Sequence, residues 1–204
     1  HTYTSLGVYT VQISGIINDF QFDNTGDKDK ILTVENFGGI QLREESFNGC
    51  SNLDIAATDI PSVFGVNLLS AFSRCTSLVY NSSINQIDVS SVTSLNQIFN
   101  RSSSFNQDLS SWDVSSVEIM TSVFARATNF NGDISSWNVS NVDNMREMFY
   151  RLSSFNSNIS GWNVASLTTM EQMFRDATSF NQDISTWNVS NVTRMNSTFR
   201  GATS

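Results

Sequence analysis

Apolar residues along this chain recur in fixed columns separated by runs of Ser, Thr and Asn. Four units begin at Phe105, Phe130, Phe155 and Phe180 and read FNQDLSSWDVSSVEIM, FNGDISSWNVSNVDNM, FNSNISGWNVASLTTM and FNQDISTWNVSNVTRM. Asn follows the Phe each time, and Trp112, Trp137, Trp162 and Trp187 stand seven residues after it. Behind them come Val114, Val139, Val164 and Val189, then Met120, Met145, Met170 and Met195, then Phe124, Phe149, Phe174 and Phe199. Two periods share each unit. Trp112-Asp113-Val114 alternates, which predicts a short strand. Val117, Met120, Val123, Phe124 and Ala127 step by three and four, which predicts one face of a short helix. Ser115-Ser116, Ser140-Asn141 and Ser190-Asn191 lie between the two and suit helix N-caps.

The second Phe column runs backward through Phe99, Phe72 and Phe47, with spacings of 25, 25, 25, 25, 27 and 25 from Phe199 to Phe47. Two residues are therefore inserted between Phe72 and Phe99, where Ile87 takes the Trp place and Leu95 the Met place. One unit alone cannot bury its Trp, Val, Met and Phe residues, whereas stacked units bury them as continuous columns. The prediction is an α/β solenoid of about seven turns with one short strand and one short helix per turn. Its strands would lie ~4.8 Å apart. Residues 31–104 read as degenerate repeats and 105–204 as four regular ones.

The unit FNQDISSWNVSNV-x-x-M-x-x-MF closely resembles the BspA-like leucine-rich-repeat surface proteins and, more narrowly, the 25-residue repeats first catalogued in mycoplasma lipoproteins. The resemblance covers roughly residues 31–204. It implies a leucine-rich-repeat-like solenoid in a secreted or surface-anchored, adhesin-like module without known catalysis. Some relatives bind host matrix proteins. The opening HTYTSLGVYTVQISG is similar to the closing strands of a PKD-type β-sandwich, so residues 1–30 are expected to be that tail and an N-terminal cap. The chain stops just before the next Phe and is expected to be part of a longer protein, so the missing signal peptide carries no weight.

Composition narrows the classes. The apolar fraction is 39% and the charged fraction 15%, against about 45–50% and about 25% in ordinary domains. Fifteen Phe in 204 residues argue against disorder. A net charge of −8 leaves no basic footprint for nucleic acid. No apolar run is long enough to span a membrane. The surface has to be covered by Ser, Thr and Asn.

Catalysis finds little support. His1, the only histidine, stands at the very start of the chain, and there is no P-loop, GxGxxG or HExxH. The expectation is a non-enzyme without a cofactor. Cys50 and Cys75 each follow a column Phe by three residues, so a disulfide between adjacent turns and a pair of buried thiols are both open. Asp108, Asp133 and Asp183 form a column interrupted by Asn158. It offers Ca²⁺ one carboxylate per turn, fewer than such a site wants. The favoured reading is that Asp and Asn alike accept backbone N–H groups of a turn. Arg74, Arg101, Arg126 and Arg151 fall two residues after the column Phe, and Arg175 and Arg200 one after. A helix C-terminus accounts for them best, with Glu171 and Arg175 as an i,i+4 pair; an anionic partner such as a sulfated glycan is the functional alternative. The Trp column is expected to point inward.

The remaining surface is the outward side of the predicted strands. Ser111, Ser136, Gly161 and Thr186 form one row, and Asp113, Asn138, Asn163 and Asn188 the next. Small hydrogen-bonding groups at a regular spacing suit a repetitive ligand. The expectation is a monomeric, extracellular or cell-surface module recognising a host or neighbouring-cell protein, or a polysaccharide. An ice-binding protein and a structural spacer are the competing readings.

Overall fold

Each 25-residue unit meets the next along a line of parallel backbone bridges. In the computed structural model, which describes residues 7–12, 15–17, 20–79 and 82–203, Ser94 bridges Ile119, Ile119 bridges Asn144, Asn144 bridges Thr169 and Thr169 bridges Arg194. The same line continues from Ser94 back to Asn67 across the two-residue insertion. Nearer the N-terminus four two-residue strands take over. These are β1 (Thr33–Val34), β2 (Gln41–Leu42), β3 (Asp54–Ile55) and β4 (Ser62–Val63). β1 pairs in parallel with β3 and β2 with β4, with Thr33 opposite Asp54 and Gln41 opposite Ser62. Among the described residues the only α-helix is the single turn α1 (Ser82–Asn85), and Lys28–Lys30 form one 3-10 turn.

The predicted leucine-rich-repeat-like α/β solenoid, with a strand and a helix in every turn, is not formed. The segment from Met120 to Ala127 is a succession of turns. Its alternate N–H groups, those of Met120, Ser122, Phe124 and Arg126, donate to the carbonyls of Asn144, Arg146, Met148 and Tyr150 in the next unit, at 2.7–3.0 Å. Those of Ala125 and Ala127 donate three residues back, to Ser122 and Phe124. No run of i→i−4 bonds is left. Ser122 (φ 54°) and Arg126 (φ 62°) are left-handed, and every coil from Glu45 to Gly201 repeats this pair four residues apart. A helix cannot pass through such residues. A ten-residue helix is marginal alone, whereas the inter-coil ladder adds one good bond at every second residue.

The predicted strand fails for a different reason. Trp112 and Val114 are buried and Asp113 exposed, the alternation a strand would show. Yet the Trp112 N–H donates to the Leu109 carbonyl and Val117 to Val114, so these amides close turns within their own coil. The protein is therefore a parallel stack of turn-rich coils.

The columns fill its interior. Phe47, Phe72, Phe99, Phe124, Phe149, Phe174 and Phe199 stack at centroid distances of 5.4–6.2 Å. Phe105, Phe130, Phe155 and Phe180 run beside them, each ring 3.8–4.1 Å from its partner in the second column. Each fully buried aromatic side chain supplies on the order of 2–3 kcal/mol of hydrophobic stabilisation. In the last described coil Met195 and Phe199 are 47% exposed.

His1 and the H-T-Y of the opening segment lie outside the described residues. Gly7–Gln12, the described part of the expected PKD-type strands, contains no strand. Phe20 and Phe22 already pack on the core, and the Phe22 and Asn24 N–H groups donate to Ser46 and Asn48.

Candidate binding face

On the Trp side the coils are bonded together chiefly by side chains, with one backbone bond from the Leu109 N–H to the Asp133 carbonyl at 3.0 Å. The indole Nε1–H of Trp112, Trp137, Trp162 and Trp187 donates to the carbonyls of Ile84, Leu109, Ile134 and Ile159 in the preceding coil, at 2.9–3.2 Å. The Asn after each Phe forms a second ladder, the Oδ1 of Asn106, Asn131 and Asn156 accepting the N–H of Asn131, Asn156 and Asn181 at 2.7–2.9 Å. These two repeated residues serve the stack and not a ligand. Successive indoles are nearly parallel, 4–6° apart, and repeat every 6.3–6.4 Å. That is wider than the ~4.8 Å between strands of a bridged ladder.

Ser111, Asp113, Ser136, Asn138, Asn163, Thr186 and Asn188 are all exposed on this wider side. The hydroxyl row is tied to the stack. Ser111 Oγ donates to Asn85, Ser136 Oγ to the Ser110 carbonyl at 2.7 Å and Thr186 Oγ1 to the Ser160 carbonyl at 3.2 Å. In the next row the Oδ1 of Asp113, Asn138, Asn163 and Asn188 accepts the N–H two residues on, at 3.0–3.2 Å. That turn fixes the carboxamides of the exposed Asn138, Asn163 and Asn188, and among the described residues nothing engages their Nδ2 donors. The row repeats with the Trp column beside it.

The row ends in a recess that the columns do not foretell. Ile60, Ile87, Asp88, Val89, Ser111 and Asp113 line an open hollow of about 320 Å³. Asp88 and Ile60 are its unforeseen members. The sequence signal was the insertion between Phe72 and Phe99, with Ile87 standing in the Trp column. The Asp88 carboxyl is held below the usual carboxylate range by the Ser90 hydroxyl and N–H, and that of Asp113 by the same two groups of Ser115. The recess is thus anionic at neutral pH.

The other expected chemistry is placed as follows. Asp108, Asp133 and Asp183 accept the N–H of Ser110, Ser135 and Ser185 through Oδ1 at 2.8–2.9 Å, and Asn158 accepts that of Ser160 in the same way. Among the described residues no three His, Cys, Asp or Glu side chains are grouped to hold a metal. Cys50 and Cys75 are buried free thiols, and Cys75 Sγ donates to the Phe47 carbonyl at 3.1 Å. Burial pushes the Cys50 thiol up to about 12 and raises that of Cys75 strongly. Glu171 and Arg175 do not pair. Without a helix between them, Glu171 meets Arg146 of the preceding coil at 3.9 Å and Arg175 meets Asp176 at 3.7 Å.

A family model described as "Mycoplasma protein of unknown function, DUF285" matches residues 42–156 and 134–204. No curated protein and no solved structure gives a significant match. No helix among the described residues is long and apolar enough to cross a membrane.

Proposed function

The chain belongs to the DUF285 family of mycoplasma-type repeats, and on that premise we propose that it is a non-catalytic recognition module displayed outside the cell. Its ligand is an extended protein or polysaccharide laid across the Ser111 and Asp113 rows. The resemblance of its repeat to those of BspA-like surface proteins supports the surface placement. The observation that carries the binding reading is the exposed row Asn138, Asn163 and Asn188, whose carboxamides are locked by their own turns with Nδ2 donors that nothing among the described residues engages. Donors fixed before binding lose little rotamer freedom on contact. A hydroxyl-rich chain suits them, and the recess at Ile60, Asp88 and Asp113 gives such a chain a terminus.

The test keeps the turns and removes the donors. In Asn138→Asp/Asn163→Asp/Asn188→Asp each Oδ1 can still accept the N–H two residues on, as Asp113 does. Cells displaying this variant should adhere at least about tenfold more weakly to their target surface, the equivalent of ~1.4 kcal/mol. Undiminished adhesion would instead favour a spacer, for which the unbroken aromatic stack is suited.

A further inference from the structure

The arginine line is not explained by a helix terminus, because no helix precedes it. Arg74, Arg101 and Arg126 hold the left-handed place of their coils, at φ 62°, 64° and 62°. Gly49, Asp176 and Gly201 fill the same place elsewhere, as a left-handed position favours. Four successive arginines, Arg151 (φ 54°) being the fourth, therefore occupy sites that suit them poorly. Arg74, Arg101 and Arg126 stand two residues after Phe72, Phe99 and Phe124, whose rings stack at 5.9 Å; burial first, and then the charges of Arg126 and Arg74, lower the Arg101 pKa. Among the described residues no carboxylate lies within 4.0 Å of any of the three. Arg126 lies over the Tyr150 ring at 5.4 Å, a cation–π contact that brings no opposite charge. Further along the line Arg151 and Arg175 share Asp176, at 3.4 and 3.7 Å. The unpaired half of the line opens on a groove of about 550 Å³ lined by Lys28, Ser51, Arg74, Thr76, Arg101 and Ser103. Asp29 also lines it, but is held by Lys28 at 2.8 Å and by the Ser51 hydroxyl at 2.9 Å.

We propose that this groove binds a sulfated polysaccharide, its sulfate esters held by Arg74 and Arg101 in the groove, with Arg126 next along the line. The planar guanidinium fork matches a pair of sulfate oxygens. The phenylalanine column repeats at 5.9 Å from Phe72 to Phe99 and from Phe99 to Phe124, so the arginines recur coil by coil, which suits a linear polyanion better than a single ion. Thr76 and Ser103 add hydroxyls at the groove walls. No aromatic ring lines the groove itself, and Tyr150 further along the line is already covered by Arg126, Arg151 and Arg175 at 5.2–5.6 Å, so the bases of a single-stranded nucleic acid would have no free ring to stack on. None of its residues belongs to the Ser111 and Asp113 rows, so the two sites stand or fall separately.

Heparin is the probe, titrated calorimetrically at low and at physiological salt. The wild-type chain should bind it, with affinity falling as salt rises. Arg74→Gly/Arg101→Gly/Arg126→Gly should keep its melting temperature, since glycine suits these positions, and lose at least about tenfold in affinity. Arg74→Asn/Arg101→Asn/Arg126→Asn gives the same reading if the glycine variant is unstable. Desulfated heparin, polyphosphate and a single-stranded oligonucleotide should each bind more weakly than heparin. Absence of heparin binding, unchanged affinity in both variants, or equal binding of any of the three comparison polymers would overturn the assignment. The Asn138→Asp/Asn163→Asp/Asn188→Asp variant should bind heparin as the wild type does.

Discussion

Trp137 does two jobs that its neighbours in sequence do not reveal. Its ring fills the core between Trp112 and Trp162, and its Nε1–H reaches back to the Leu109 carbonyl at 2.9 Å. The first role follows from its alternation with Ser136 and Asn138. The second is invisible in a single unit, because the acceptor lies 28 residues away. Trp137→Phe keeps most of the ring and removes the donor. It should cost about 1–3 kcal/mol in denaturant unfolding, and Trp137→Ala about 3–5 kcal/mol. The Asp column is a second case. Backbone N–H and then hydroxyl bonds from Ser135 and Ser185 hold the Asp133 and Asp183 carboxyls low, while for Asp113 the Ser115 hydroxyl leads. A carboxyl with a depressed folded pKa binds protons less readily folded than unfolded. Its stabilisation is present above the unfolded value of about 3.9 and is lost as pH falls through the folded value. Glu45, raised by burial, acts in the opposite direction. Melting temperature should therefore drop below about pH 4, and less steeply in Asp113→Asn/Asp133→Asn/Asp183→Asn, because Asn138 and Asn158 cap equivalent turns without titrating.

The helix that Met120, Val123, Phe124 and Ala127 predict shows where periodicity misleads. A chain of i→i−3 turns returns to one side at nearly the same three- and four-residue steps as a helix, so the buried positions agree while the backbone differs. What separates the two conformations is the left-handed pair in each coil. The usual signal for it is Gly or Asn, but here those places hold Glu45, Ser70, Gln97, Ser122, Glu147, Gln172 and Ser197, then mostly arginine. Only Gly49 and Gly201 mark it in the residues themselves. Gln97→Gly distinguishes the two conformations. In a helix it would cost about 1 kcal/mol; at φ 58° it should leave stability unchanged or raise it by up to about 1 kcal/mol. A clear loss in thermal or denaturant unfolding would restore the helix.

Seen along the whole stack, the register was legible and the bonding was not. The 25-residue lag and the two inserted residues reappear, the latter as the bridge from Asn67 to Ser94. The exposed rows are where alternation about Trp placed them. Their spacing differs from that of a strand face, because side chains and not a backbone ladder set the distance between coils there. Recess and groove both belong to the less regular early coils, where Ile87 replaces Trp and where Arg74 and Arg101 stand without carboxylates. Sequence columns describe what repeats, and both hollows arise from what does not.

Everything displayed on the surface depends on coils bonded to one another through alternate amides. Through-hydrogen-bond NMR coupling measures that directly. The amide nitrogen of Phe124 should couple to the carbonyl carbon of Met148, and that of Phe149 to Met173, matching their 3.0 and 2.9 Å bonds. Coupling of Phe124 to Met120 and of Phe149 to Met145, four residues back within the same coil, would contradict the stack and return the chain to one helix per turn.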